Sequence, residues 1–231
     1  MNGFRKANGE YRRARRAALP TGLAVALLLL TLSASPLAAA TVDRVAALID
    51  KQVLTVSEVS QMVELHFFPH PAKQSDDDYR HDVLESLIAQ ALRFHDVERF
   101  GAEDISKDAV EARMREIAAR FTTPTDFDAA IARTELTPDE VRALVKRQLQ
   151  VEAYIRERFS PLIFVSLDEI ETYYRGPWSE QRKARGLAVP SLAESTDEIR
   201  GLLKASRLQS EIDKWTEQLR SRANVDVYGW R

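Results

Sequence analysis

Four histidines are the first residues to test for chemistry: His66, His70, His81 and His95. His66 and His70 stand four apart, a spacing that on a regular helix lets two imidazoles share a zinc ion. The segment HFFPHP argues against it, because Pro69 lies between them and Pro71 follows, and a proline ring interrupts a regular helix. His95 follows the apolar stripe of its segment and reads as a partly buried residue at the edge of a core. The run Asp76-Asp77-Asp78 reads as a solvated helix start, where carboxylates suit the helix dipole. A calcium loop needs a longer, regular spacing of oxygens. There is no G-x-S-x-G, no phosphate-binding P-loop and no dinucleotide fingerprint. With no cysteine there is also no disulfide, thiolate metal site or cysteine nucleophile. The sequence therefore assigns no catalytic residue, no metal and no cofactor, and it reads as a binding protein rather than an enzyme.

Apolar residues at the surface are the stronger candidates. Met62 and Leu65 precede the loop that carries Phe67 and Phe68. Tyr173, Tyr174 and Trp178 gather around a Gly-Pro break further on. Aromatics at loops and helix ends can line a groove for extended apolar peptides, with apolar contact and backbone hydrogen bonds supplying affinity at low sequence demand. The competing reading is that these seven residues plug the core between helices, since aromatics are more often buried than displayed. The cluster Arg182-Lys183-Arg185 reads as a solvated loop or a partner contact.

The elements that must position these residues are mostly helical. VDRVAALIDKQVLTVSEV opens as a strand, turns at Asp50-Lys51, continues as a second strand and enters a helix at Thr55-Val-Ser-Glu58. That tetrad is a capping box, in which the threonine hydroxyl and the glutamate carboxylate each accept from the other residue's backbone amide. The same signature recurs at Thr137–Glu140, with Pro138 at the first helical position, at Ser166–Glu169 and at Ser195–Glu198. Over 80–99 the stripe is Val83, Leu84, Leu87, Ile88, Ala91 and Leu92, and Gly101 ends the helix. Over 138–159 the stripe is Val141, Leu144, Val145, Leu149, Val151, Ile155 and Phe159. Shorter helices are expected near 107–120, 126–133 and 167–175. Two glycines and two prolines make 176–194 a linker loop. A last long helix is expected over 196–222, followed by a strand at Val225–Tyr228. An isolated hairpin is marginal in water, so VDVY is expected to pair with the 42–55 hairpin. The fold class is thus mostly α, with a small antiparallel sheet built from the two ends of the chain.

The first forty residues read as a leader. A basic stretch with Arg5, Lys6, Arg12, Arg13, Arg15 and Arg16 precedes GLAVALLLLTL, which is short for a bilayer span of roughly 20 residues. SASPLAAA offers small residues, and cleavage is expected after Ala40; an uncleaved anchor is the alternative. Loss of six basic residues and one acidic one, Glu10, leaves a chain more acidic than the formal −2 of all 231 residues. That balance argues against nucleic acid as a partner.

VDRVAALIDKQVLTVSEV resembles the start of the mature SurA-type periplasmic chaperones. VLESLIAQALRFHDVERFG, ISKDAVEARMREIA, LTPDEVRALVKRQLQVEAYIRERF and VSLDEIETYY follow in the family's order. The resemblance is closest over 42–174 and is one of pattern only over 195–228. It implies a SurA N-terminal-like helical domain over 41–175, completed by the C-terminal helix and strand over 195–231. In the family, parvulin-type prolyl isomerase domains are inserted after the position of Tyr173-Tyr174. Here some twenty residues separate Tyr174 from the next expected cap, too few for a domain.

The resemblance implies an exported, ATP-independent chaperone-like protein of the periplasm. Its partners would be unfolded or partly folded exported proteins, outer-membrane proteins among them. It would not insert stably into the membrane once the leader is cleaved. A homodimer formed by exchange of the last helix is an open possibility. The alternatives are a non-catalytic subunit dedicated to one envelope complex and, far behind, a peptidyl-prolyl isomerase.

Overall fold

The structure is a computed structural model that describes residues 43–229, so the expected leader with its cleavage after Ala40 lies outside the described residues. Strand β1 (Val45–Ile49) turns at Asp50-Lys51 into β2 (Gln52–Thr55). Asp50 takes φ 51°, the left-handed region that aspartate tolerates better than most residues. Helix α1 (Val56–Glu64) starts without a loop because Thr55 is both the last residue of β2 and the N-cap. Its hydroxyl accepts from the Glu58 amide at 3.2 Å, and the Glu58 carboxylate accepts from the Thr55 amide at 2.7 Å.

The expected partner of the hairpin is the far end of the chain. Strand β3 (Val225–Val227) pairs antiparallel with β1, in register Leu48↔Asp226, and the sheet order is β2-β1-β3. Asp50 is fixed from both directions. Its amide donates to the Asn224 carbonyl at 2.8 Å, and its carboxylate accepts from the Asn224 amide at 2.9 Å.

Between these ends run α2 (Asp76–Phe100), α3 (Lys107–Ala118), α4 (Pro124–Arg133), α5 (Pro138–Phe159), α6 (Leu167–Tyr173), α7 (Ser179–Ala184) and α8 (Leu192–Arg220). Gly101 ends α2 at φ 91°, a conformation with little penalty for glycine alone. Thr137 and Ser166 close capping boxes as their sequences predict, and Thr123 closes another with Asp126.

The largest core cluster joins β1, β2 and α1–α5 through residues such as Leu65, Leu84, Ile88, Val141 and Val145, all fully buried. Each such side chain contributes about 1.5–3 kcal/mol by leaving water. A second cluster sets Trp215 of α8 against Val97, Val151, Ile155 and Phe159. A third, around Ile170, Trp178 and Ile199, holds α6 and the residues after it against the start of α8.

The structure differs from the sequence expectation in three places. Residues 176–194 are not a plain loop: Tyr174–Trp178 form a wide helical turn and α7 follows. Burial of the Trp178 indole against Tyr174 and Ile199 draws this stretch onto α8, and Gly176 takes the non-helical φ −110°, ψ −107° at the kink. The last helix begins at Leu192, since Ser191 rather than Ser195 closes the capping box, with Glu194. Ser195 lies within the helix and is buried, and its hydroxyl donates to the Ser191 carbonyl at 3.0 Å. His95 is exposed, because it falls on the outer side of α2.

Candidate functional site

Helix α2 has two apolar faces. Val83, Leu84, Ile88 and Leu92 are buried in the main core, whereas Leu87, Ala91 and Phe94 are half-buried and line one side of a groove. The groove has a volume of about 500 Å³ and opens to solvent beside β2. Leu54, Met62 and Phe67 lie at its base, and Leu136 and Leu144 line its other side.

Its rim is polar and held in place by local structure. Glu58 and Glu140 lie there through their capping boxes. The Thr137 backbone amide, and then its hydroxyl, hold the Glu140 carboxyl below the usual carboxylate range. The Gln61 side-chain amide donates to the Thr134 carbonyl at 3.0 Å, tying α1 to the end of α4. The Arg147 guanidinium lies 4.9 Å from the centre of the Phe94 ring. Such an arrangement can accept apolar side chains at its base while peptide groups meet amides and carboxylates at the rim.

The residues singled out from sequence divide between two places. Met62 and Phe67 line the groove, at 3% and 2% exposure. Leu65 is fully buried beside them in the core. Phe68 meets Phe67 edge-on at 5.4 Å and lines a second cavity, with Arg93, Gln148 and Arg220, between α2, α5 and α8. Tyr173, Tyr174 and Trp178 belong to the separate cluster around α6 and α8 and do not line the groove. The two aromatic sets are thus not brought together. Each is held by its own helix neighbours.

HFFPHP is a fixed turn. The Phe67 amide donates to the Met62 carbonyl at 3.0 Å. The Arg120 guanidinium donates to the carbonyls of His66 and Phe67, and the Tyr79 hydroxyl donates to that of Phe68. His66 stacks on Phe121 and His70 on Tyr79, so the two imidazoles engage different rings. Among the described residues no group of three or more His, Asp or Glu side chains is arranged to hold a metal ion.

Sequence reasoning missed the groove walls, Leu87, Ala91, Phe94 and Leu144, as site residues. The available signal was the width of the apolar stripe on α2: with Phe94 added to Leu87 and Ala91, it is wider than one helix contact buries. A further apolar surface lies apart from the groove, where Leu162, Phe164 and Leu167 are 74%, 75% and 70% exposed. No helix among the described residues is long and apolar enough to cross a membrane.

No family model matches the chain. It is 28% identical over 199 residues to Chaperone SurA of Pseudomonas putida, covering 79% of this chain and 44% of that protein. It is 24% identical over 177 residues to Chaperone SurA of Pseudomonas fluorescens, covering 72% of this chain and 40% of that protein. The chain therefore spans less than half the length of these curated relatives. Taken with the order of motifs from the first hairpin to the last strand, these matches show that the chain is similar to the SurA chaperones.

Proposed function

We propose that this chain is an exported, ATP-independent chaperone-like protein of the periplasm that holds unfolded or extended segments of other exported proteins, outer-membrane proteins among them. The observation that carries the reading is the open groove between α1, α2 and α5, apolar at its base and polar at its rim. The curated relatives support it, both being named as chaperones. Two or three client side chains entering the groove would each gain about 1.5–3 kcal/mol, most of it offset by the freedom lost on association. Weak binding of that kind permits release without a nucleotide. Residues 43–229 are proposed to act as one unit, with the C-terminal helix and strand completing the N-terminal core. Between Tyr173 and Leu192 the chain holds only a helical turn, α7 and a short connection, which leaves no room for an inserted isomerase domain.

The test is light scattering of an unfolded outer-membrane protein diluted from denaturant, with Leu87→Asp/Leu144→Asp beside the unchanged protein. Urea unfolding confirms that the variant is folded. Suppression by the unchanged protein at near-equal ratios, lost in the variant, is the expected result. Failure of the unchanged protein to suppress aggregation of any of several unrelated clients would refute the reading. A second reading, a non-catalytic subunit dedicated to one envelope complex, is favoured by the exposed Leu162, Phe164 and Leu167. It predicts copurification with one protein, abolished by Phe164→Ser.

A further inference from the structure

The sheet presents a free edge at the mouth of the groove. In the order β2-β1-β3, the outer side of β2 pairs with no strand among the described residues. Ile49 and Gln52 face each other directly across the two-residue turn, which makes them a mutually hydrogen-bonded pair. The next pair, Leu48↔Val53, is then of the non-bonded kind, and the Val53 amide and carbonyl point away from β1. Val53 is 45% exposed, and its neighbours Gln52 and Leu54 both line the groove. An unpaired edge of this sort is a template for another extended chain.

Charge selects what kind of chain. Three carboxylates line the groove, Glu58, Glu98 and Glu140, against one guanidinium, Arg147, which lies over the Phe94 ring. The capping boxes hold the Glu58 and Glu140 side chains in fixed positions, each accepting from its N-cap backbone amide at 2.7 Å. We propose that an extended apolar segment carrying a lysine or arginine docks by adding a strand to the outer edge of β2. Alternate side chains enter the groove, and the cation meets the Glu58 and Glu140 carboxylates. The docking mode rests on the chaperone-like reading above and supplies its client chemistry. With only Val53 presenting an outward amide and carbonyl, the edge contributes one pair of backbone hydrogen bonds, and binding is correspondingly weak and reversible.

The experiment measures fluorescence anisotropy of a labelled ten-residue peptide of alternating valine and threonine with one central lysine. The protein is purified from cells expressing the full chain. Two further peptides carry N-methyl groups on alternate amides, in opposite phases. One phase is expected to weaken binding about tenfold by removing an edge hydrogen bond and crowding β2, while the other binds within about twofold of the parent. Replacing the lysine by glutamate is expected to weaken binding roughly three- to tenfold at low salt. The double variant Glu58→Gln/Glu140→Gln keeps both caps, since glutamine also serves in a capping box, and should erase that difference. Equal binding of the two methylated phases, or of the lysine and glutamate peptides, overturns the proposal. If the peptide fails to bind while the protein still suppresses aggregation, strand addition falls and the chaperone-like reading stands. If both fail, both fall.

Discussion

Replacing Trp215 by alanine is expected to destabilise the protein by about 3–5 kcal/mol, the usual range for deleting a buried indole. The indole is only 6% exposed and is the contact through which α8 meets the middle of the molecule. Its ring lies 5.6 Å from Tyr154 and 5.4 Å from Phe159, centre to centre. A buried side chain of this size removes on the order of 150–250 Å² from water. Its Nε1–H also donates to the Asp96 carboxylate at 3.2 Å. Trp215→Phe separates the two contributions. It keeps most of the aromatic contact and loses the hydrogen bond, for a cost of about 1–2 kcal/mol. The assay is urea unfolding followed by circular dichroism at 222 nm. Because β3 follows α8 and completes the sheet, loosening α8 should release β3 as well. The midpoint is therefore expected to fall with an unchanged slope. A loss below about 1 kcal/mol for Trp215→Ala would refute the claim that this side chain anchors α8. A lowered slope would refute the claim that the two ends of the chain unfold as one unit.

Asp50→Ala is expected to cost about 1–2 kcal/mol, since it removes the carboxylate that accepts from Asn224 and places alanine at φ 51°. Hydrogen exchange should speed up at the Val225–Val227 amides before it does at α2, and equal protection in the variant and the unchanged protein would contradict the clamp. The capping-box carboxylates predict a pH dependence. Backbone hydrogen bonds lower Glu140 and Glu169 from the ordinary 4.5, and the Ser191 hydroxyl lowers Glu194. A carboxyl lowered in the folded state stabilises the protein above its unfolded value. Stability should therefore be level above about pH 5 and fall as the pH drops through 4.5 toward the lowered folded values. Glu140→Gln and Glu194→Gln should flatten that fall in chemical denaturation at pH 3–6, and an unchanged profile would count against it.

Much of this architecture was legible because helix starts are chemically explicit. Thr55, Thr137 and Ser166 each stand three residues before a glutamate and directly before an apolar period, and each closes the box that its spacing implies. The pairing of β3 with the hairpin was legible for a different reason: a lone hairpin needs a third strand, and Val225–Val227 was the candidate, though that it joins β1 was not. The start of α8 was harder, because SLAESTDE holds two consecutive boxes, Ser191–Glu194 and Ser195–Glu198. Pro190 sets the limit, since a helix cannot readily run through it but can begin just after it, with Ser191 as the N-cap and Leu192 as the first helical residue. The candidate site was legible only in part. Phe67 was visible as an aromatic in a turn, but its burial depends on Arg120 and Tyr79, whose bonds to the turn no local pattern announces. The groove walls lay among residues already assigned to a core stripe. Which side of that stripe faces a neighbour and which faces an opening is decided by how α2 and α5 meet, and that is a tertiary fact.

The position of β1 between β2 and β3 has a consequence for how this chain comes to be folded at all. The Asp50–Asn224 contact joins residues 174 apart in sequence. Closing a loop of that length opposes folding by roughly 4–5 kcal/mol of chain entropy before any contact repays it. The final pairing is thus a late event, and a ribosome delivers β3 after every other described element. Until then VAALI of β1 presents one side without its strand, an apolar template of the kind that aggregates. A protein proposed to keep unfinished chains therefore passes through the same vulnerable condition itself. Truncations that remove only its last dozen residues should leave it there.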